Sequence, residues 1–174
     1  MDIDQVKKSI RNIPNYPKPG IHFKDVSTAY QNGIIFNYIA SQIYDKYKDI
    51  GITKVVGIES RGFILGGVLA EKLKAGFVPI RKPGKLPAKI YSKSYQLEYG
   101  YDTLEIHQDA LEPNDVVLIH DDLLATGGTI SAAIDLVNLF GVKSIYANFF
   151  IELDFLHGLE KINSNVPVWS LIHF

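Results

Sequence analysis

The sequence feature that most constrains the fold is residues 116–129, VVLIHDDLLATGGT. The first four residues are apolar and rich in β-branched side chains, which predicts a short buried strand. Two carboxylates follow at Asp121 and Asp122, and a small glycine-bearing turn follows them at residues 125–129. Beyond the turn, apolar residues recur at helical spacing, at Ile130, Ala133, Ile134 and Val137. The stretch is therefore typical of one strand–turn–helix unit of an α/β protein.

Similar strand and helix patterns alternate along most of the chain, at a spacing of roughly 30 residues. The predicted strands are residues 54–58, 77–80, 115–119, 142–151 and 166–174. The predicted helices are residues 2–12, 31–50, 63–73, 129–140 and 155–162. This alternation predicts an α/β fold with a mainly parallel, twisted sheet and helices on both of its faces.

Two segments depart from the alternation, and one predicted helix has an unusual composition. Residues 13–27 contain three prolines, which predicts an irregular connecting loop. Residues 90–111 are rich in tyrosine and alternate between apolar and polar side chains, so we expect an antiparallel ribbon that stands out from the sheet. Gly66 and Gly67 lie inside a predicted helix, where each costs roughly 1 kcal/mol relative to alanine, so we expect close backbone packing there.

Composition excludes several classes of function. The chain has 174 residues, which fits one domain, and a net charge of −1, which gives no overall attraction to nucleic acid or membrane. The absence of cysteine excludes disulfides and thiolate metal sites and is compatible with a reducing cytoplasm. We expect no signal peptide, because the N-terminal residues are charged, and no apolar run approaches the ~20 residues that span a bilayer.

Ligands of doubly wound sheets bind beyond the carboxyl ends of the strands, where three polar loops begin: residues 59–62, 81–82 and 121–129. The glycine-bearing turn at a helix N-terminus suits a phosphate, although small residues also occur in plain turns. The turn lacks the lysine of a P-loop and the spacing of a dinucleotide fingerprint. Asp121 and Asp122 would repel phosphate, so they suit ribose hydroxyls or Mg²⁺ unless they are merely a solvated strand end. A sugar 5-phosphate satisfies both features, whereas a receiver domain would need a further aspartate at a strand end.

Five segments together resemble one family, the type I phosphoribosyltransferases. HDDLLATGGT resembles its motif for phosphoribosyl pyrophosphate (PRPP), in the form typical of the adenine-specific members. GIESRGFILG resembles the pyrophosphate loop, IRKPGKLP the basic loop, and YQLEYGYDTLEIHQDAL the flexible catalytic loop and hood. YPKPGIHFKDVS resembles the base-binding segment. The combination is specific and covers nearly the whole chain.

The resemblance implies a type I phosphoribosyltransferase fold with a small hood and an antiparallel flexible-loop ribbon. Residues 1–174 would form a single domain, with the hood at about residues 1–30 and the flexible loop at about residues 84–111. The implied activity is transfer of 5-phosphoribosyl from PRPP to adenine, giving AMP and pyrophosphate in purine salvage. The implied cofactor is Mg²⁺, carried by PRPP and reached through water by Asp121 or Asp122. The enzyme would be a cytoplasmic homodimer without nucleic-acid or membrane partners.

The resemblance also implies roles for single residues. The 5-phosphate would be bound by Ala125, Thr126, Gly127, Gly128 and Thr129, and the ribose hydroxyls by Asp121 and Asp122. Pyrophosphate would be bound by Glu59, Ser60, Arg61, Arg81, Lys82 and Lys85. Adenine would stack on Phe23 and meet Leu123 and the backbone of His22 and Lys24. The catalytic residues would be Glu98, Tyr99 and Arg61, and the peptide bond before Ser60 would be cis.

Two alternatives and two departures stay open at this point. A 6-oxopurine phosphoribosyltransferase would need a donor such as lysine facing the base. A non-catalytic PRPP-sensing regulator would need a nucleic-acid surface, which the sequence does not indicate. His22 and His120 stand where the family usually has aliphatic residues. His120 is either a satisfied core histidine or a group that shifts the titration of Asp121.

Overall fold

The computed structural model describes residues 1–96 and 100–174, which form two compact units, Met1–Gln42 and Ile43–Phe174. Each unit is described by itself, and the single-domain arrangement stays a prediction. None of the described helices is long and apolar enough to cross a membrane.

The first unit contains a short antiparallel sheet that the sequence did not predict. Its elements are α1 (Ile3–Ser9), β1 (Arg11–Pro14), β2 (His22–Asp25), α2 (Ser27–Gln31) and the start of α3 (Gly33–Tyr47). The prediction of an irregular loop over residues 13–27 was wrong at both ends, because Ile13 pairs with Phe23 and Pro14 with His22. Pro14 is tolerated because it ends a two-stranded edge and need not donate a ladder hydrogen bond.

The second unit contains the central sheet. Its helices are α4 (Gly62–Leu73) and α5 (Gly128–Asn138), followed by two 3₁₀ turns, Asp154–Leu156 and Gly158–Lys161. Its strands are β3 (Lys54–Ile58), β4 (Gly76–Ile80), β5 (Ile90–Gln96), β6 (Tyr101–His107), β7 (Val116–Leu124), β8 (Ser144–Glu152) and β9 (Val168–His173). Five of them form a parallel sheet in the order β4-β3-β7-β8-β9. The predicted fold class is confirmed, whereas the helix predicted at residues 155–162 is the two turns, separated by His157 in the left-handed conformation.

β7 is longer than predicted, and this changes where the acidic pair lies. The predicted strand ended at Ile119, yet β7 continues pairing with β8 as far as Leu124, which pairs with Glu152. Asp121 and Asp122 therefore lie within the strand instead of after it. Successive side chains of a strand point to opposite faces, so the two carboxylates face different surroundings.

β5 and β6 form the predicted antiparallel ribbon as a separate two-stranded sheet. The ribbon does not stand out freely, because Leu104 and Ile106 of β6 are fully buried in the core with residues of α5 and the central sheet. A backbone bridge between Arg81 and Glu105 further joins the ribbon to the segment after β4. The ribbon is thus held at one edge of the unit by apolar burial.

The two glycines inside α4 have different surroundings. A Cβ atom on Gly66 would lie 3.1 Å from the Phe77 ring, as the predicted close packing requires, whereas one on Gly67 would meet nothing within 4 Å. We expect Gly67→Ala to raise the free energy of unfolding by up to about 1 kcal/mol, the difference in helix propensity. Gly66→Ala gains the same propensity but must displace the ring, so it should be about 1 kcal/mol less stable than Gly67→Ala. Urea unfolding measures both, and equal values would contradict this packing difference.

Candidate active site

A cleft of about 280 Å³ opens at the carboxyl ends of β3 and β7. Ten of the residues predicted from the sequence line it: Glu59, Arg61, Lys82, Asp121, Leu123, Ala125, Thr126, Gly127, Gly128 and Thr129. Ser60, Arg81, Lys85 and Asp122 are not among the lining residues, and Ser60 and Lys85 are exposed. The cleft lies where a parallel α/β sheet binds ligands, because the loops that follow neighbouring strands meet there.

The loop at residues 125–129 forms one wall and leads into α5. Gly127 has φ +79°, a left-handed conformation that favours glycine. A Cβ atom on Gly127 would collide with the carbonyl oxygen of Gly158, so the loop also requires glycine for its close packing on the second 3₁₀ turn. No side chain of the described residues caps the N-terminus of α5. Its first N–H groups therefore remain available for an anion.

Asp121 and Asp122 have different surroundings, because successive side chains of β7 point to opposite faces. Asp121 faces the cleft, whereas Asp122 is 1% exposed and lies with its Oδ2 3.0 Å from Nε of Arg61. Burial and the neighbouring charge of Asp122 raise the pKa of Asp121 well above its ordinary value. Burial also raises the pKa of Asp122, and Arg61 opposes that shift. Asp121 is thus the carboxylate available to a ligand, and Asp122 holds the arginine.

Glu59 anchors the basic loop. Its Oε2 accepts hydrogen bonds from Nε of Arg81 at 3.1 Å and from the backbone N–H of Lys82 at 2.5 Å. The hydrogen bond from Arg81 lowers the pKa of Glu59, so this carboxylate stays ionised. The peptide bond between Glu59 and Ser60 is cis, as the resemblance implied. Glu59 therefore holds the side chain of Arg81 and the backbone of Lys82 in place beside the cleft.

Seven residues that line the cleft were not predicted from the sequence, and the two polar ones among them are Tyr95 and Asp102. They pair directly across the ribbon, where Tyr95 Oη donates a hydrogen bond to Asp102 Oδ2 at 3.2 Å. Asp102 also forms an ion pair with the ammonium group of Lys82. The alternating pattern of residues 90–111 predicted the ribbon, but only its strand register brings these two side chains opposite each other.

Some predicted residues lie elsewhere. Glu98 and Tyr99 lie outside the described residues, so their roles stay predictions. His22, Phe23 and Lys24 form most of β2 in the first unit. The Phe23 ring is half-buried and meets the ring of Tyr16 edge-on, with centroids 5.3 Å apart.

His120 is a core histidine. It is fully buried, and its Nδ1 lies 2.8 Å from Oδ1 of Asn148. Asn148 donates its amide to the carbonyl oxygen of Trp169, so its oxygen faces His120 and receives the Nδ1 proton. Burial lowers the pKa of His120 to about 4, which keeps the ring neutral. The raised pKa of Asp121 arises from burial and Asp122 instead.

The buried histidine should make stability depend on pH. Its pKa is about 4 when folded, below the ordinary value of 6.5, so the unfolded chain takes up a proton first as the pH falls. The contribution is complete above pH 6.5 and is lost towards pH 4, which costs about 2 kcal/mol between pH 7.5 and pH 5. Urea unfolding at pH 7.5 and at pH 5 measures the free energy of unfolding. The loss of stability between these two pH values should be about 2 kcal/mol smaller in His120→Gln than in the wild type. An unchanged pH dependence in the variant would contradict the assignment.

One further group of side chains could hold a metal. Among the described residues, Glu152, Asp154 and His173 place a donor atom each within 4.8 Å of one another. His173 Nδ1 already lies 2.8 Å from Asp154 Oδ1, and Ser170 donates to Glu152 at 2.7 Å. These contacts account for the cluster as a hydrogen-bonded group, and it does not line the cleft.

Comparison with known proteins agrees with this geometry. The chain matches the family described as "Phosphoribosyl transferase domain" over residues 26–164. It is 54% identical to the adenine phosphoribosyltransferase of Bacteroides thetaiotaomicron over 172 residues, 99% of this chain and 98% of that protein. The crystal structure of adenine phosphoribosyltransferase from Rhodothermus marinus is similar, with 48% identity, a TM-score of 0.93, and 99% and 98% of the two chains covered. So is Giardia lamblia APRTase complexed with 9-deazaadenine, with 43% identity, a TM-score of 0.95, and 100% and 98% covered.

Proposed function

This chain belongs to the adenine phosphoribosyltransferase family and transfers the 5-phosphoribosyl group of PRPP to adenine, releasing AMP and pyrophosphate; we propose that the cleft beside Asp121 is where it does so. The observation that carries this assignment is that a single cleft is lined by the glycine turn at residues 125–129, the carboxylate of Asp121 and the cations Arg61 and Lys82. These groups match the 5-phosphate, the ribose hydroxyls and the pyrophosphate of PRPP in turn.

The 5-phosphate lies, in this proposal, at residues 125–129, where the N–H groups of the first turn of α5, including that of Thr129, and the hydroxyl of Thr126 donate to it. The hydroxyl of Thr129 donates to Tyr95 instead. Asp121 accepts hydrogen bonds from the ribose hydroxyls. Arg61 and Lys82 meet the pyrophosphate, supported by Arg81, Lys85 and Ser60. Asp122 acts through Arg61, because its carboxylate is buried against that side chain. Glu59 acts through the basic loop that it anchors.

Mg²⁺ fits this cleft as an ion brought by the substrate. Among the described residues, the cleft wall offers three carboxylates, of which Glu59 and Asp102 are already paired with cations and Asp121 is not paired in this way. No group of three metal-binding side chains gathers there in that part of the chain. Mg²⁺ is usually bound through one or two carboxylates together with substrate phosphates, and it keeps several waters. We propose that Asp121 meets it through water, since Asp122, the other carboxylate that the resemblance implied, is buried against Arg61. The ion would offset negative charge on the leaving pyrophosphate.

The reaction requires little covalent chemistry from the protein. The bond between C1 of the ribose and the pyrophosphate oxygen breaks, and N9 of adenine forms the new bond to C1. Positive charge develops on the sugar, where the carboxylate of Asp121 favours it, while Arg61 and Lys82 stabilise the departing anion. The proton on N9 must leave, and we propose Glu98 as its acceptor, with Tyr99 beside it in the flexible loop.

The purine base that is accepted distinguishes this enzyme from related phosphoribosyltransferases. We propose that adenine stacks on Phe23 and is read by the backbone of His22 and Lys24, with Leu123 as a further contact. The comparisons do not favour a 6-oxopurine enzyme or a PRPP-sensing regulator. Assays with adenine, hypoxanthine and guanine test this choice. Turnover of a 6-oxopurine without turnover of adenine would refute it, and binding of PRPP without turnover would support the regulator.

Removal of Mg²⁺ should abolish turnover but leave the binding of AMP nearly unchanged. With excess EDTA we expect adenine turnover to fall to background and to return when MgCl₂ is added, because the leaving pyrophosphate loses its counter-ion. Binding of AMP, measured by calorimetry, should be nearly unchanged by EDTA, since AMP carries no pyrophosphate. Full activity in EDTA would exclude the proposed role of Mg²⁺.

We further propose that the enzyme acts in the cytoplasm as a homodimer, as the sequence resemblance implied. Ile64 and Phe77 are exposed on the second unit, at 47% and 38%, and could be covered by a partner chain. Light scattering coupled to gel filtration tests the dimer, and a monomeric mass for an active sample would contradict it. Cell fractionation tests the compartment.

A further inference from the structure

A single tyrosine hydroxyl connects two walls of the cleft. Tyr95 Oη accepts a hydrogen bond from Thr129 Oγ1 at 3.2 Å and donates one to Asp102 Oδ2 at 3.2 Å. An ionised carboxylate can only accept, so the Tyr95 proton points to Asp102 and the Thr129 proton points to Tyr95. The hydrogen bonds therefore run in one direction, from the phosphate loop to the ribbon.

The Asp102 end of this chain holds Lys82. Asp102 Oδ1 accepts the backbone N–H of Thr103 at 2.8 Å, while Oδ2 receives both Tyr95 and the Lys82 ammonium group. The backbone of Lys82 is fixed separately by Glu59. Lysine has a long flexible stem, so a free lysine would lose much conformational entropy on meeting an anion. A carboxylate held by Tyr95 and Thr103 orders that stem before the ligand arrives.

The ring of Tyr95 also lies against the phosphate loop. A Cβ atom on Gly128 would lie 3.4 Å from Cδ2 of Tyr95, so the ring faces Gly128 across the space that a side chain would fill. Tyr95 thus faces the first turn of α5 with its ring and contacts it with its hydroxyl. The hydroxyl alone reaches on to the ion pair of Lys82 and Asp102.

We propose that Tyr95 is a positioning residue for PRPP, which orders the Asp102–Lys82 pair against the phosphate loop. The places for the 5-phosphate and for the pyrophosphate then form as one unit, so that PRPP meets both already aligned. The inference rests on the proposed function of the cleft and deepens it. It assigns the effect to the hydroxyl, because only that group touches both Thr129 and Asp102.

The test is Tyr95→Phe, which removes the hydroxyl and keeps the ring facing Gly128. We expect KM for PRPP to rise about fivefold, because the Asp102–Lys82 pair loses its link to the phosphate loop but remains formed. KM for adenine and kcat should stay within twofold of wild type. The melting temperature should fall by no more than about 4 °C. Tyr91→Phe is the matched control, because Tyr91 lies on the same strand with its ring against Phe140, 5.5 Å between centroids. The control should leave both KM values unchanged.

A double substitution tests whether Tyr95 acts through Asp102. The rise in KM for PRPP in Tyr95→Phe combined with Asp102→Asn should be smaller than the product of the two separate rises. An unchanged KM for PRPP in Tyr95→Phe, an equal rise in KM for both substrates, or fully multiplicative effects would each overturn the proposal. Adenine turnover by the wild-type enzyme tests the proposed function independently of all three results.

Discussion

Replacing both acidic residues, Asp121→Asn with Asp122→Asn, should lower kcat/KM for PRPP about 10³-fold. The change removes the charge that Asp121 offers to the ribose and the carboxylate with which Asp122 holds Arg61. A hydrogen bond to a charged group is worth about 1.5–3 kcal/mol, and Asp121 can accept one from each of two ribose hydroxyls, so their loss accounts for the size of the effect. Steady-state kinetics with PRPP as the varied substrate measures it.

The fold should survive this double substitution. Each carboxylate has a pKa raised by burial, so ionising both is unfavourable and a neutral amide of similar shape relieves it. Arg61 is 45% exposed and stays hydrated without its partner. The melting temperature should therefore not fall below that of the wild type. Asp135→Asn is the control, since Asp135 of α5 forms an exposed ion pair with Lys93 of β5. Activity within tenfold of wild type in the double variant would refute the ribose role.

Gly127→Ala should lower kcat/KM for PRPP about 100-fold, mainly by raising KM, since about 3 kcal/mol of phosphate contacts depend on the shape of this loop. Alanine at φ +79° is strained, and its methyl group would collide with the carbonyl oxygen of Gly158. The backbone must therefore move, and the N–H groups of α5 move with it. Kinetics and calorimetry with AMP measure the effect.

A second glycine separates the two causes. Gly141 has φ +62°, yet a Cβ atom there would meet nothing within 4 Å. Gly141→Ala should lower the free energy of unfolding by about 1 kcal/mol, the cost of placing alanine in the left-handed conformation. It should leave the kinetics unchanged. If Gly127→Ala behaves like Gly141→Ala in both measurements, contact with Gly158 does not shape the phosphate site.

The chain's local patterns predicted the phosphate loop and its setting. An apolar run, an acidic pair, a glycine turn and a helical repeat are all local, and they fixed the order of elements from β7 to α5. The same reasoning predicted the parallel sheet and the cleft at its carboxyl edge, because alternating strands and helices allow few arrangements. It failed at β1 and β2, where Pro14 at the end of β1 and two prolines in the intervening turn hid two short paired strands.

Sequence alone thus determined the parallel α/β class, the phosphate turn and the residue types of the site, since each follows from spacing within about 15 residues. Tertiary structure alone decided three further points. Pairing with β8 extends β7 and turns Asp121 and Asp122 to different faces. Ribbon register places Tyr95 beside Asp102, and a distant turn places Gly158 against Gly127. These contacts join residues far apart in the chain, and no local pattern encodes which distant partner a side chain will meet.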